Sequence, residues 1–278
     1  MSDIWRLLIT PPSHGAWNMA VDESVLEHIG RRESPPTLRM YAWEPACLSL
    51  GHAQSFADVD LHGLAAHGWE MVRRPTGGRA ILHADELTYS VIASADEPRL
   101  AGSVLESYNR LALALLSAIR SLGLDAQSNP LSANSSVHAG AKHTSDNPVC
   151  FEVPSAYEIT VDGRKLIGSA QARRKDGVLQ HGSLPLTGDL ARITQALVFP
   201  DPASRLEAAS RLLGRATTVE SALGRNVSWE QAAQAIVHGF ENQLELCFEE
   251  AELSPSEQLR AGELVDKKYD HSDWMKRV

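Results

Sequence analysis

Cysteine is scarce in this 278-residue sequence. It occurs three times, as Cys47, Cys150 and Cys247, and never in a C-x-x-C pair. Three widely separated cysteines predict neither a disulfide framework nor a zinc site. We therefore expect no metal ion, and each thiol has to be judged by its own surroundings.

Long apolar runs and an excess of positive charge are also missing. No stretch approaches the roughly 20 apolar residues that cross a bilayer, and residues 1–15 lack the apolar core of a secretory signal. The formal net charge is −9, whereas phosphate binding needs a broad basic surface. We expect a cytoplasmic protein whose partners are neither membranes nor nucleic acids.

The remaining composition is that of an ordinary globular protein, with 43% hydrophobic and 22% charged residues. Alternating segments of helical and strand periodicity predict an α/β or α+β domain. The predicted helices are Asn18–Gly30 and Val104–Leu122, the latter closed by Gly123; the predicted strands are Thr37–Ala42, Ala46–Gly51, Trp69–Arg74 and Leu87–Ala93. Residues 125–149 are polar and aperiodic, which predicts a long loop.

The C-terminal part is predicted to be mainly helical from about residue 189 onward. A capping box at Ser228–Gln231 opens a helix whose apolar stripe would include Cys247. We interpret residues 1–225 as a catalytic domain and residues 226–278 as a helical extension packed on it.

Cys150 differs from the other two cysteines in its context. Cys247, on that helical stripe, and Cys47, in a predicted strand, are interpreted as buried structural residues. Cys150 follows the polar loop and precedes a hairpin that carries Lys165. Because reactive thiols need partial exposure and electropositive surroundings, Cys150 is a candidate nucleophile. The alternative is a cysteine at a strand end, packed into the core.

A β-hairpin is predicted around the two-residue turn Asp162-Gly163, between strands 156–161 and 164–171. Strand alternation then puts Lys165, Ile167 and Ser169 on one face of the second strand, and Leu166, Gly168 and Ala170 on the other.

Paired glycines, Gly77 and Gly78, follow the predicted strand that ends at Arg74. They let a backbone approach a ligand closely, or they form a tight turn on a basic strand. The spacing of a phosphate-binding P-loop is absent here. His83 and His181 lie in the neighbouring segments, and each is either a general base or a structural histidine.

Two long runs of residues carry a resemblance to a known family. The run RRPTGGRAILHADELTYSV (73–91) resembles the lipoate-binding segment of the biotin/lipoate protein ligase superfamily. The order of Asn18–Asp22, Leu50–Gln54 and this run resembles that superfamily as well. The run VCFEVPSAYEITVDGRKLIGSAQARRKDGVLQHGSLPL (149–186) is similar to the octanoyltransferase branch called LipM, as are Lys267–Tyr269 and Trp274.

The resemblance implies a fold and an activity. The fold is α+β, in two layers: a mixed, largely antiparallel sheet flanked by helices, with an acyl tunnel and a helical C-terminal part. The activity is transfer of an octanoyl group from octanoyl-acyl carrier protein to the lipoyl lysine of an acceptor, typically the glycine cleavage H protein. No cofactor is implied, because a thioester donor is already activated.

The resemblance also implies the site residues. Cys150 is the nucleophile that accepts the acyl group, and Lys165 is the cation near the substrate carbonyl. The expected substrate-binding set is Arg74, Gly77, Gly78, His83 and Ser169.

Three other functions share part of this pattern. An ATP-dependent lipoate–protein ligase uses the same lysine without a thiol. An octanoyl amidotransferase moves the group between two carrier proteins, and a non-catalytic acyl-binding protein performs no transfer. Both macromolecular partners of the transferase are expected to be acidic. A positive rim near the site is therefore predicted from Arg73, Arg74, Arg79, Arg164, Arg173, Arg174 and Lys175.

Overall fold

The computed structural model describes residues 4–128 and 158–278. Cys150, the predicted nucleophile, lies outside the described residues, and so does most of the predicted 125–149 loop. Within the two described ranges, no helix is both long enough and apolar enough to cross a membrane.

Eleven strands and eight α-helices make up the described ranges. The strands are β1 (Ile4–Ile9), β2 (Thr37–Tyr41), β3 (Cys47–Leu50), β4 (Glu70–Arg73), β5 (Ile81–His83), β6 (Glu86–Ala93), β7 (Ala126–Ser128), β8 (Ile159–Val161), β9 (Arg164–Arg174), β10 (Gly177–Pro185) and β11 (Cys247–Glu250). The α-helices are α1 (Gly15–Gly30), α2 (Leu61–His67), α3 (Val104–Ser121), α4 (Pro202–Arg215), α5 (Val219–Leu223), α6 (Trp229–Leu244), α7 (Pro255–Leu264) and α8 (Ser272–Met275). Short 3-10 helices span Phe56–Asp58 and Leu190–Ala196, and a π-helical turn spans Val265–Tyr269.

The strands form two sheets. The larger has the order β11-β1-β2-β6-β10-β9-β8-β7. Its β11–β1 and β1–β2 pairs are parallel and the other pairs are antiparallel. The smaller sheet has the order β4-β3-β5. A mixed, largely antiparallel sheet flanked by helices was predicted, and it is confirmed.

Helices cover both faces of the larger sheet. Along β6, Val91 belongs to the hydrophobic cluster under α3 and α6, whereas Ile92 belongs to the cluster under α1 and α7. Since successive strand residues point to opposite faces, each face carries its own core. The smaller sheet packs through Leu48 and Leu50 into a third cluster, which includes the 3-10 helix Leu190–Ala196.

Local capping signals set the helix starts. In α3, Ser103 and Glu106 form a reciprocal capping box, and in α6 Ser228 and Gln231 form the predicted one. Gly123 follows α3 with a φ of +100°, a conformation that favours glycine. Helix α1 begins at Gly15, three residues before the predicted start.

The prediction for Cys247 was wrong. Helix α6 ends at Leu244, because Glu245 adopts a left-handed φ of 52° and reverses the chain. Cys247 then begins β11 and is exposed, so it is not part of a buried helical stripe. Leu244 and Phe248 are four residues apart, as the helical period requires, so periodicity alone favoured a continuing helix. Parallel pairing with β1 instead makes Cys247–Glu250 a strand. The first residues of the predicted 125–149 loop also differ, since Ala126–Ser128 form β7.

The hairpin prediction is confirmed over its described residues. Asp162 and Gly163 have positive φ angles of 50° and 73°, as a two-residue hairpin turn requires. Strict alternation fails beyond the turn, because the register shifts opposite Ile159 and leaves Leu166 as an extra residue. Leu166 and Ile167 consequently both reach the same hydrophobic cluster.

Residues after 225 are closely joined to the rest of the chain. Helix α6 packs along α3, β11 extends the larger sheet, and α7 packs on α1. The boundary between residues 1–225 and 226–278 stays a prediction.

Candidate functional site

A largely apolar cavity opens between the two sheets. It encloses about 570 Å³ of empty volume, a figure that includes space open to solvent. Its hydrocarbon walls come from Met19, Tyr41, Trp43 and Ile81. Five of the residues predicted from the sequence also line it, namely Arg74, Gly78, His83, Lys165 and Ser169.

Lys165 is buried in the wall of this cavity. Its Nζ lies 2.8 Å from Oε1 of Glu158, and the lysine is only 3% exposed. The Lys165 carbonyl accepts a hydrogen bond from the Thr217 N–H at 2.9 Å, which anchors the backbone. Thus the ammonium is held in place by a carboxylate rather than solvated.

Glu158 was missed by the sequence reasoning. It precedes β8 and stands two residues from Thr160, the cross-strand partner of Lys165. That diagonal position is within reach of a long side chain, so the hairpin register contained the signal.

Ser169 lies four residues further along the same strand, β9. Its hydroxyl is 2.7 Å from the hydroxyl of Tyr89, and burial raises the pKa of Tyr89 to about 12, so the phenol stays protonated. Gly182 makes room for this contact, since a Cβ there would stand 2.7 Å from Ser169 Oγ and 2.6 Å from the Tyr89 ring.

Arg74 holds the glycine turn in shape. Its guanidinium donates to the carbonyl oxygens of Ser49 (2.8 Å), Gly77 (3.0 Å) and Arg79 (2.7 Å). Arg74 thus lines the cavity and also orders the backbone of the turn that borders it.

The two glycines of the turn differ in position. Gly78 lines the cavity with a φ of +95°. Gly77 is exposed and is not among the described residues that line it. Gly51 packs against the turn so closely that a Cβ there would meet the Gly78 carbonyl oxygen at 1.8 Å.

His83 is clamped by neighbours on both ring nitrogens. Its Nδ1 is 2.7 Å from Glu86 Oε1, and its Nε2 is 2.7 Å from Ser49 Oγ. The ring also stacks on Trp43 with centroids 4.0 Å apart. These contacts fix its orientation at the cavity wall.

His181, which also lines the cavity, forms a second carboxylate–histidine–hydroxyl chain. Its Nε2 is 2.6 Å from Thr76 Oγ1, and its Nδ1 is 3.5 Å from Asp22 Oδ2. Burial holds the pKa of His181 below its ordinary value, against the pull of Asp22, so the ring is neutral at pH 7.

Asp22 is itself fully buried. Burial acts to raise its pKa, but Arg39, at 2.7 Å, and the hydrogen bonds of His181 and Ser90 outweigh this and lower it. An ionised carboxylate therefore stands behind His181. Neither Asp22 nor Thr76 was predicted as a site residue. Each contacts His181, which lies 159 residues from Asp22 and 105 residues from Thr76 along the chain.

Metal ligation has no support in the described ranges. No group of three or more His, Cys, Asp and Glu side chains is arranged there to hold an ion. The cavity combines hydrocarbon walls with the buried cations Lys165 and Arg74 and two carboxylate–histidine–hydroxyl chains. Such a site suits a substrate with an apolar chain that ends in a carbonyl group.

Comparison with known proteins identifies close relatives. The model of the lipoyl protein ligase A/B catalytic domain matches residues 14–241. The octanoyltransferase LipM of Symbiobacterium thermophilum is 41% identical over 280 residues, covering 100% of both chains. The octanoyltransferase LipM of Moorella thermoacetica is 40% identical over 277 residues, covering 99% of each.

The solved structures that this chain resembles include lipoate–protein ligases. The bi-partite lipoate protein ligase of Thermoplasma acidophilum superposes with a TM-score of 0.79 and is 26% identical; the match covers 98% of this chain and 96% of that one. A lipoate-protein ligase A solved with bound ATP gives a TM-score of 0.77 at 26% identity, over 99% of both chains.

Proposed function

This chain belongs to the lipoyl protein ligase A/B catalytic domain family, in its LipM octanoyltransferase branch, and on that premise we propose its chemical route. The octanoyl group of octanoyl-acyl carrier protein passes to the thiol of Cys150, and from there to the lipoyl lysine of an acceptor, the glycine cleavage H protein. The enzyme is an acyltransferase of protein lipoylation. We propose the cytoplasm, where both carrier proteins are made, as its location.

The observation that carries the proposal is the buried ammonium of Lys165 in a cavity whose lining is largely apolar. Hydrocarbon walls bind an octanoyl chain through the hydrophobic effect, at roughly 0.8 kcal/mol for each buried CH₂ group. In this proposal the ammonium interacts with the polar end of such a chain. A cavity that bound only hydrocarbon would have no use for this charge.

The first half-reaction exchanges one thioester for another. The Cys150 thiolate attacks the donor carbonyl, a tetrahedral oxyanion forms, and the carrier thiolate leaves and takes up a proton. Because the oxyanion is negative, the Lys165 ammonium stabilises it, a contribution of typically about 3–4 kcal/mol for one well-placed donor. Glu158 keeps that ammonium in position.

The second half-reaction forms an amide. The acceptor lysine attacks as a neutral amine, the Cys150 thiolate leaves, and the excess proton of the amine must be taken up. We propose that His181 takes it, because its ring is neutral and Asp22 stabilises the imidazolium that results. We assign His83 to the wall of the cavity, where its ring stacks on Trp43.

One observation favours the alternative function of an ATP-dependent ligase, namely the similarity to lipoate–protein ligases of known structure. Those matches are 26% identical, whereas the LipM relatives reach 41% over their whole length. ATP dependence separates the two functions, because a thioester already carries the activation that a ligase obtains from ATP.

Intact-mass spectrometry after mixing with octanoyl-acyl carrier protein, without ATP, tests the proposal. The wild-type protein should gain one octanoyl group and lose it when the H protein is added. Cys150→Ala should gain none. Transfer that needs ATP and free octanoate would establish the ligase function instead.

The other two cysteines provide the matched controls. Cys247→Ala should be acylated like the wild type, although Cys247 is exposed. Cys47 is fully buried, and burial raises the pKa of its thiol well above the ordinary value, so Cys47→Ala should also be acylated. An adduct that persists in Cys150→Ala would disprove the assignment of the nucleophile.

A further inference from the structure

Positive side chains converge on His52, in the loop after β3. Arg277 Nη1 lies 2.8 Å from His52 Nε2, so the neutral ring accepts a hydrogen bond from the guanidinium. Burial, then Arg277, Arg174, Arg73 and Lys268 hold the pKa of His52 below its ordinary value. These four cations come from β4, β9 and the C-terminal segment, far apart in the sequence.

Trp274 in α8 organises two of these cations. Its ring centroid lies 4.3 Å from Lys268 Nζ and 4.8 Å from the guanidinium carbon of Arg277, which are favourable cation–π distances. The indole N–H donates to the Arg73 carbonyl oxygen at 2.8 Å. Arg73 is fully buried and donates in turn to the Met275 carbonyl at 2.7 Å, which ties α8 to β4.

The cluster borders the glycine turn of the cavity. The His52 N–H donates to the Thr76 carbonyl at 2.9 Å, and Arg174 donates to the Pro75 carbonyl at 3.4 Å. The same turn continues into Gly78, which lines the cavity. The cations therefore stand at the edge of the cavity and not on a remote surface.

Positive charge exceeds negative charge at this edge. Among the described residues, Glu23 is the carboxylate that forms ion pairs here, at 2.7 Å from Lys268 and 3.8 Å from Arg174. Arg277 is exposed, and Arg174 retains 34% of its side-chain exposure. On a chain with a net charge of −9, this local excess runs against the overall field.

We propose that His52, Arg174, Lys268 and Arg277, here named the rim cluster, form the docking surface for the acidic carrier protein that delivers the acyl thioester. The inference rests on the proposed octanoyl transfer. An acidic donor is repelled by the negative surface at large, and a positive patch beside the cavity attracts and orients it. The acyl arm of a carrier held there has the shortest path into the cavity.

Three donors test this docking surface. They are octanoyl-acyl carrier protein, octanoyl-coenzyme A, which has phosphates but no protein, and octanoyl-N-acetylcysteamine, which has neither. The variant is Arg174→Glu combined with Arg277→Glu. Arg225→Glu is the matched control, because Arg225 is an exposed arginine between α5 and α6 that donates to the Leu122 carbonyl at the end of α3.

We expect the double variant to raise KM for the carrier donor about tenfold or more, since like charges now face each other. KM and kcat for the two small donors should stay at wild-type values, and Arg225→Glu should behave as the wild type with all three. In the wild type, KM for the carrier should rise with salt, and this rise should be much smaller in the double variant.

Three results would overturn the docking proposal. The first is an unchanged KM for the carrier donor in the double variant. The second is an equal rise in KM for octanoyl-coenzyme A, which would indicate phosphate recognition. The third is a rise in KM for the H protein alone, which would make the rim cluster the acceptor surface. Wild-type protein that transfers from none of the donors would refute the proposed function itself, and the docking surface with it.

Discussion

Lys165 and Glu158 form a buried ion pair whose two members have separable roles. The lysine supplies charge to the cavity, and the glutamate restrains it at 2.8 Å. A buried ion pair is weak evidence for stability, because desolvation offsets much of its attraction. Its presence beside a ligand cavity is better explained by the need for a charge in a fixed position.

Lys165→Ala should slow formation of the acyl-enzyme about 100-fold or more, because the oxyanion loses its cation. Lys165→Arg should also be slow, since a planar guanidinium spreads the charge over a larger group. Single-turnover mass spectrometry with octanoyl-acyl carrier protein measures the rate, and circular dichroism checks the fold.

Glu158→Gln is the matched control for these variants. It keeps the ammonium and a hydrogen-bond acceptor, so acylation should remain much closer to the wild-type rate. Folded Lys165→Ala protein that acylates Cys150 normally would leave the lysine without a catalytic role. Equal losses in Lys165→Ala and Glu158→Gln would mean that only the intact pair matters.

At the scale of elements, the loop after β3 and the turn after β4 fit together without space for a side chain. The Gly78 carbonyl oxygen occupies the position that a Cβ on Gly51 would take. Arg74 then holds the turn through the carbonyl oxygens of Gly77 and Arg79 and ties it to β3 through that of Ser49. At this edge of the cavity two backbone segments are in direct contact, which explains why both contain glycine.

Gly51→Ala should displace this turn and destabilise the protein by about 1–3 kcal/mol, as overpacking does. Acyl-enzyme formation should slow as well, because Gly78 lines the cavity. Urea unfolding and single-turnover acylation measure the two effects.

Gly77→Ala is the control, because its added Cβ would meet no atom within 4 Å. Its free energy of unfolding should change by less than about 0.5 kcal/mol. If Gly51→Ala proves as stable as Gly77→Ala, the close approach to Gly78 is not a constraint. Slow acylation in a stable Gly77→Ala protein would support the predicted contact of Gly77 with substrate.

At the scale of the whole molecule, the first strand is joined to the C-terminal helices. Arg6 on β1 makes a two-pronged ion pair with Glu257 on α7, at 2.7 and 2.9 Å, and Glu257 is fully buried. Burial acts to raise the pKa of Glu257, but hydrogen bonds from Arg6, the Ser254 N–H and Ser34 outweigh it and lower the pKa to about 2.

Glu257→Gln should lower the free energy of unfolding by about 3 kcal/mol at pH 7, since Arg6 is left as a buried charge without its partner. A carboxyl with a lowered pKa stabilises the fold above its ordinary pKa of 4.5 and loses that contribution as the pH falls toward about 2. The gap between wild type and variant should therefore shrink between pH 4.5 and pH 2.

Urea unfolding at several pH values measures that gap. Glu263→Gln is the control, because Glu263 pairs with Arg260 at 2.9 Å but keeps 42% of its side-chain exposure. Its effect should be about 0.5 kcal/mol or less. A gap for Glu257→Gln that stays constant down to pH 2 would contradict the lowered pKa.

Local signals in the sequence determined much of the fold. The capping box at Ser228 and the Asp162-Gly163 turn work through neighbouring backbone groups, so they specify structure without help from distant residues. The motif around Gly77 and the hairpin around Lys165 led to the family, and five predicted site residues do line one cavity. Cys150 stays a prediction, since it lies outside the described residues.

Other features depended on residues that only the tertiary structure brings together. Cys247 became a strand residue because β1 offers an unpaired edge, an interaction that helical periodicity cannot reveal. Asp22 became the partner of His181, and Arg277 the partner of His52, across 159 and 225 residues. Side-chain periodicity encodes which face of an element is buried, but the identity of what covers that face is fixed only by packing.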